Sequence, residues 1–301
     1  MSEGFFIWKS DNGSIAEFEL GLSLSQASGA KSLLILACHD NDFTEQQINP
    51  LILKCNLQIF GGIYPKLIFS NKLMQQGCII VGFQQVVDVS LITQTSALIT
   101  DAQLEQAINT TQVNRGQLTK NDNFLIFYDG LINNIEPFID NLFEYLDHKI
   151  SIIGGGAGNL EFKQKPCVFT NQGLLVDAIQ LVSLSSQIVT GIGHGWKILQ
   201  GPYLVSEAEK QIINSLNYCP AFNIYKEAIE TESHYSFDEH NFFDIAKHFP
   251  LGIADLNNQL VVRDPILTQD GYIQCVGDIP VNSMVYLLKG SIDSLLASAE
   301  Q

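Results

Sequence analysis

The sequence predicts a mixed α/β (α+β) fold: a duplicated strand-helix-strand-strand unit with mixed sheets over residues 1–185, then a strand-rich α+β segment over 186–301. Three observations predict it. The stretches IFGGIYPKLIF (59–69) and IIGGGAGNLEF (152–162) are near-copies 93 residues apart, identical at 59/152, 61/154, 62/155, 67/160 and 69/162. Each is preceded by a short apolar run, of the kind shown by a strand buried on both faces, and by a helix start bearing proline. Past Ser186 this pattern gives way to extended runs separated by turn residues.

In the first unit, Ile15, Phe18, Leu22 and Leu24 recur at roughly helical spacing over Ser14–Ser25. Leu33–Cys38, running on to Asp40, reads as a buried strand, and Ile48-Asn-Pro-Leu-Ile52 as a helix start with proline in its first turn. Gly61-Gly62 reads as a turn, and Gly77–Val81 as a further strand. The second unit repeats the order. Ser96–Thr100 reads as a strand end, and Thr100-x-x-Gln103 as a capping box opening a helix over Asp101–Asn109. Phe124–Tyr128, ending in Asp129, parallels the first strand; Ile135-Glu-Pro-Phe-Ile139 parallels the helix start, and Gly173–Val176 parallels Gly77–Val81.

In the last segment, Ile188–Ile198 is glycine-rich and extended, and Gly201-Pro202 reads as a turn. Ser206-x-x-Glu209 reads as a capping box for a helix over Glu207–Leu216, and Pro220–Ala228 as a second helix. Strands are expected over His248–Ile253, Gln259–Asp264, Tyr272–Val276 and Met284–Leu288, parted by Asn-Asn, Gln-Asp-Gly and Gly-Asp-Ile-Pro turns, with a closing helix over Ser291–Ser298.

Composition narrows the function. Sixteen Lys plus Arg against thirty-two Asp plus Glu give a net charge of -16, which repels nucleic-acid phosphates and anionic lipid, so neither nucleic acid nor membrane is expected as a partner. The six cysteines form no C-x-x-C pair, four of them sit in apolar runs, and no leader-like or membrane-spanning stretch is evident; a cytoplasmic protein is expected.

The ordered series IFGGIYP, GCIIVGF, FLIFYDG, IIGGGAGN, HGWK followed by GP and VSEAE, CPAFNIYKEAI, HFPLGIAD, QLVVRDP and VGDIP resembles the FIST family (F-box and intracellular signal transduction) over nearly the whole chain. Ser206 stands where the family usually has threonine, and Cys219 where it more often has glycine. The resemblance implies a sensory protein that binds a small ligand and acts with a signalling protein such as a histidine kinase or a cyclic-di-GMP enzyme. Some relatives are similar to haem-binding nitric-oxide sensors. Eukaryotic relatives carry an F-box, which is not expected ahead of the FIST segment here.

Candidate ligand-binding residues follow from local chemistry. Gly154, Gly155, Gly156, Ala157, Gly158 and Asn159 expose backbone N–H groups that suit an anion, or else form a turn that the fold requires. His194, between glycines, is open to a ligand with Trp196 as a flat apolar wall, or else donates to a backbone carbonyl. Arg263 and Asp264 are candidates together, Arg263 offering a fork for a carboxylate, or else the adjacent Asp264 signifies a guanidinium already paired within the domain. No histidine spacing suits zinc; haem remains possible, with iron held by His194 in preference to Cys219. For catalysis there is no G-x-S-x-G or H-E-x-x-H motif, which leaves an enzyme acting on a small acidic metabolite through Cys38 or Asp129, or a pure scaffold, as the weaker alternatives. Thr231–Phe243, polar with interleaved aromatics, has the composition of a lid.

Overall fold

The computed structural model describes residues 5–97, 100–109, 123–132, 135–146, 151–184, 191, 193–254 and 260–300. The chain divides into two compact units, Met1–Thr190 and Gly191–Gln301. The expected Asn257-Asn258 turn and the start of the glycine-rich stretch at 188–190 lie outside the described residues.

The first unit is a structural repeat. Its first half runs β1 (Phe6–Ser10), α1 (Ile15–Ala27), β2 (Ser32–Cys38), α2 (Glu45–Ile52), β3 (Gln58–Tyr64), β4 (Leu67–Phe69), β5 (Lys72–Met74) and β6 (Cys78–Phe83). The second half runs β7 (Asp88–Thr93), α3 (Asp101–Asn109), β8 (Asn123–Asp129), α4 (Ile135–Leu146), β9 (Ser151–Ala157), β10 (Val168–Thr170), β11 (Gly173–Leu175) and β12 (Ala178–Leu184). The strand orders are β1-β6-β2-β3 and β7-β12-β8-β9, each with one parallel pair (β2/β3, β8/β9) among antiparallel neighbours. These are mixed sheets, duplicated as the sequence implies.

The two sheets face each other, with helices on their outer faces. In β2, Leu33, Ile35 and Ala37 meet Phe18, Ile48 and Ile52 of the helices, while Leu34 and Leu36 meet the second sheet. In β8 the equivalent positions do the same: Phe124 and Ile126 face Phe138 and Leu142, and Leu125 and Phe127 face the first sheet. Burial on both faces is why these strands read as unbroken apolar runs.

The glycine pairs lie inside β3 and β9 and make no turn. Gly61 has φ 123° opposite Ile35, and Gly154 has φ 154° opposite Ile126; a Cβ at either would overlap the facing carbonyl oxygen. Register also corrects the outer alignment. Leu67–Phe69 corresponds to Val168–Thr170, not to Leu160–Phe162, because the β9–β10 connection has ten residues (158–167) where β3–β4 has two (65–66). Gly173–Leu175 then matches Lys72–Met74, and the counterpart of β6 is β12. Cys38, paired with Tyr64, is the register equivalent of Asp129, paired with Ala157. Pro50 sits sixth in α2 and Pro137 third in α4, so the two prolines are not equivalent. Ser96 and Ala97 lie in a 3-10 turn, not at a strand end, while the Thr100/Gln103 capping box is present.

The second unit is built on a curled sheet in the order β17-β16-β20-β13-β14-β19-β18. Its elements are β13 (Lys197–Glu209), β14 (Ile212–Leu216), β15 (Cys219–Pro220), α5 (Ala221–Glu232), α6 (Phe242–Ala246), β16 (Leu251–Ala254), β17 (Leu260–Arg263), β18 (Pro265–Gln269), β19 (Tyr272–Cys275), β20 (Met284–Lys289) and α7 (Ile292–Ala299). The end strands β17 and β18 are joined through Asp264 alone, so the sheet rolls until its ends meet. The expected helix over 207–216 is instead the β13–β14 hairpin. It turns at Lys210, with φ 52°, and buries Val205, Ile213 and Leu216 fully; the capping-box serine, Ser206, bonds Ser215 and accepts from the Tyr218 amide. Gly201-Pro202 lies within β13 at a register shift between Gln200 and Tyr203, not at a chain turn.

Gly61→Ala is expected to lower stability by about 3 kcal/mol or more, combining backbone strain with a steric clash. Gly155→Ala, where a Cβ meets nothing within 4 Å, is expected to change it by under about 0.5 kcal/mol. Urea unfolding of the full chain measures both, and equal effects would refute the assignment of the clash to residue 61.

Candidate functional site

A cavity of about 290 Å³ opens at the carboxyl ends of β2 and β3. Its floor is Ile63; one wall is His39 and Asp42–Gln46, where the chain leaves β2 and enters α2; the other is Gly158, Asn159 and Lys165–Cys167 of the long β9–β10 connection. The crevice beyond the carboxyl ends of parallel strands is where α/β sheets commonly hold ligands.

Local chemistry fixes each wall. Thr44 caps α2, with Gln47 Oε1 accepting from both its amide and its hydroxyl at 3.1 and 3.0 Å. Asn159 folds the opposite wall: Oδ1 accepts from the amides of Glu161 and Lys163, and Nδ2 donates to Lys163 O at 2.7 Å. Both ends of that connection are tied to one residue of the other repeat. The Gly158 amide donates to Ile63 O, and the Ile63 amide donates to Cys167 O, each at 2.8 Å.

Beneath this wall lies Asp129, 1% exposed at the end of β8. It accepts from the Gln164 side chain at 3.0 Å and from the amides of Leu131 and Asp177 at 3.1 and 2.9 Å. Cys167 sits against it, and burial, with this carboxylate second, pushes the thiol well above its ordinary range. Asp129 is thus spent on structure. Cys38 is fully buried, its thiol pushed up chiefly by desolvation and donating to Met74 O. Neither has the exposed, activated character of a nucleophile.

Residues 32–218 match the FIST N domain, and residues 221–301 match the FIST C domain. The chain belongs to the FIST family. FIST domains are associated with signal-transduction sensing. No curated protein matches the chain.

In this FIST chain the residues singled out from sequence are dispersed. Gly158 and Asn159 line the cavity. Gly154 to Gly156 run along the open edge of β9, where a side chain at 156 would come within 2.8 Å of Gly130 Cα, and Ala157 is buried against Gly62. The other four lie in the second unit. His194 is exposed, with Nδ1 accepting the Trp196 amide at 3.0 Å, and Trp196 packs over Gly290. Arg263 donates to the carbonyls of Asp278 and Val262, so its fork already serves a turn. Three strand spacings, about 14 Å, separate it from β13. His194 lines neither this cavity nor the second one. Among the described residues no group of three His, Cys, Asp or Glu is placed to hold a metal ion.

The second cavity, about 530 Å³, is lined by Thr231–Tyr235, Phe249 and Lys289. It takes in the first part of the expected lid. The rest is anchored: Phe237 and Phe242 pack on Phe222 and Tyr225, Asp238 pairs with Lys226 at 2.6 Å, and Glu230 accepts the Phe237 amide. Sequence reasoning missed His39, Asp42–Gln46 and Lys165, which line the first cavity. The available signal was the extra length between the glycine repeat and the next strand.

Cys219 is the one exposed thiol; the other five are buried. A disulfide reagent at pH 8 is therefore expected to titrate one thiol in the native protein and six after denaturation. Burial holds the Cys78 and Cys275 thiols near 12, against an ordinary 9.0. Between those values the unfolded chain releases protons that the folded chain keeps, so stability is full below pH 9 and is lost as pH rises toward 12. Each thiol contributes about 1.4 kcal/mol per pH unit in that window, which alkaline unfolding curves will report.

Proposed function

We propose that this chain is the input component of a signalling system. It holds a small polar molecule bearing both signs of charge in the cavity between β2, α2 and residues 158–167, and relays occupancy to a separate protein such as a histidine kinase or a cyclic-di-GMP enzyme. Family membership supports the signalling role. The observation that supports the ligand reading is the cavity itself, walled by two repeats and closed by a connection that only one repeat possesses.

The charge balance supports the ligand class. Lys165 and His39 offer positive or donating groups, Asp42 and Glu45 negative ones, and Ile63, Phe43 and Pro166 supply apolar contact. A volume of about 290 Å³ suits a small metabolite, lying just below the range for drug-sized ligand pockets, about 300–1,000 Å³.

Thermal-shift screening of the full chain against small zwitterions tests this. A compound at a hundredfold excess over its Kd is expected to raise stability by about 2.7 kcal/mol. Lys165→Glu and Glu45→Lys are each expected to weaken it at least tenfold, about 1.4 kcal/mol, without loss of fold, since Lys165 is exposed and Glu45 opens a surface helix. A hit whose affinity is untouched by both variants would place binding elsewhere.

A further inference from the structure

The two sheets of the first unit differ by one hairpin. The first has six strands because β10–β11, from the second repeat, docks on the edge of β3 with Val168 opposite Gly62. The second has four and ends at β9, whose outer edge pairs with no strand among the described residues. The hairpin that the repeat supplies for that edge is β4–β5. It stands instead as a two-stranded sheet of its own, with Ile68 75% and Leu73 57% exposed as a cross-strand apolar pair.

Chain length explains the difference. Two residues join β3 to β4, a reach of at most about 11 Å between Tyr64 and Leu67, whereas ten residues join β9 to β10. The β4–β5 hairpin is held on its own sheet by Leu67 and Met74, which pack with Cys38 and Ile79. The β9 edge, Ser151–Ala157, carries no charge and no proline, the usual protections of an exposed strand. Ile153 is 43% exposed, and Gly155, the register equivalent of Gly62, has open space above it.

We infer that β9 is an interaction surface for a second copy of this chain, and that it receives the β4–β5 hairpin of that copy as β3 receives β10–β11, with the copy's Leu67 against Gly155. Charge supports this occupant. The hairpin carries Lys66 and Lys72 and no acidic residue, while α4, the crossover helix between β8 and β9, carries Glu136, Asp140 and Glu144 and no basic one. Two-fold exchange closes the assembly, one hairpin going each way.

Sedimentation of the full chain over a concentration series tests the inference. A monomer–dimer equilibrium is expected. Ile153→Lys, on the edge, and Leu73→Asp, on the hairpin, are each expected to weaken it at least tenfold, with circular dichroism and melting temperature showing that the fold is kept. Ile68→Asp and Gly155→Glu serve the same ends if either variant is unstable. An equimolar mixture of Ile153→Lys and Leu73→Asp proteins is expected to form a heterodimer through the one intact hairpin–edge pair. A chain that stays monomeric throughout, a dimer insensitive to Leu73→Asp, which would signify β9-to-β9 pairing, or a mixture with no heterodimer would each overturn it.

Discussion

The architecture of the first unit depends on two backbone crossings that tolerate no side chain. At Gly61 the strand β3 passes so close to the carbonyl of Ile35 that a Cβ would overlap it, and Gly154 passes Ile126 in the same way. With φ at 123° and 154°, the chain there is in a conformation that L side chains rarely adopt. This close approach sets the register of each parallel pair, and register decides which side chains face the helices and which the opposing sheet. It also frees the Gly61 amide, which donates to Gln180 of the other sheet at 3.2 Å, a buried polar tie between the repeats.

Because both repeats obey this constraint, the cavity arises from their differences. The eight additional residues between β9 and β10 allow the second repeat's hairpin to cross to the first repeat's sheet, and on the way they wall the cavity. Their two ends, Gly158 and Cys167, bond to the same residue, Ile63, so the wall is anchored to the strand it covers. Asp129 secures it from beneath through Gln164. Its register equivalent, Cys38, meets no such loop and stays a small buried group against Met74. One ancestral position thus serves as a polar anchor in one copy and as apolar filler in the other.

The duplication, the buried strands and the order of elements were legible in the sequence because apolar runs, caps and glycine pairs are local signals. What misled was the same locality. Adjacent glycines signal a turn when read alone, but at residues 61 and 154 they answer to a strand one crossover away. The matches at Leu160 and Phe162 pulled the alignment across an insertion that only strand pairing exposes. Ser206-x-x-Glu209 has the form of a helix cap, yet Val205, Ile213 and Leu216 bury better as a hairpin in the curled sheet, and tertiary burial outweighs a cap contribution of about 1 kcal/mol. The aromatics of 237–243 read as a lid because their partners, Phe222 and Tyr225, lie on a separate helix. The candidate cavity was half legible: Gly158 and Asn159 line it, whereas the wall at 39–46 carries no motif and is recruited only by the fold.

A receptor must bind its ligand with different affinity in two states, since equal affinity shifts nothing. A pocket walled by a single rigid element offers little such difference. Here the walls belong to two repeats whose sheets pack chiefly through the apolar side chains of Phe60, Phe127 and Val182, with Gln180 as the polar tie to β3, while the polar ties across the cavity run through Ile63 and Asp129. On the reading proposed above, a molecule spanning the two walls adds contacts that depend on their separation, and so favours one spacing of the repeats. The same displacement would be felt at β10–β11, the hairpin that the second repeat inserts into the first sheet, because its strand continues directly from the cavity wall at Cys167. On that reading the duplication supplies both the cavity and a mechanical path out of it.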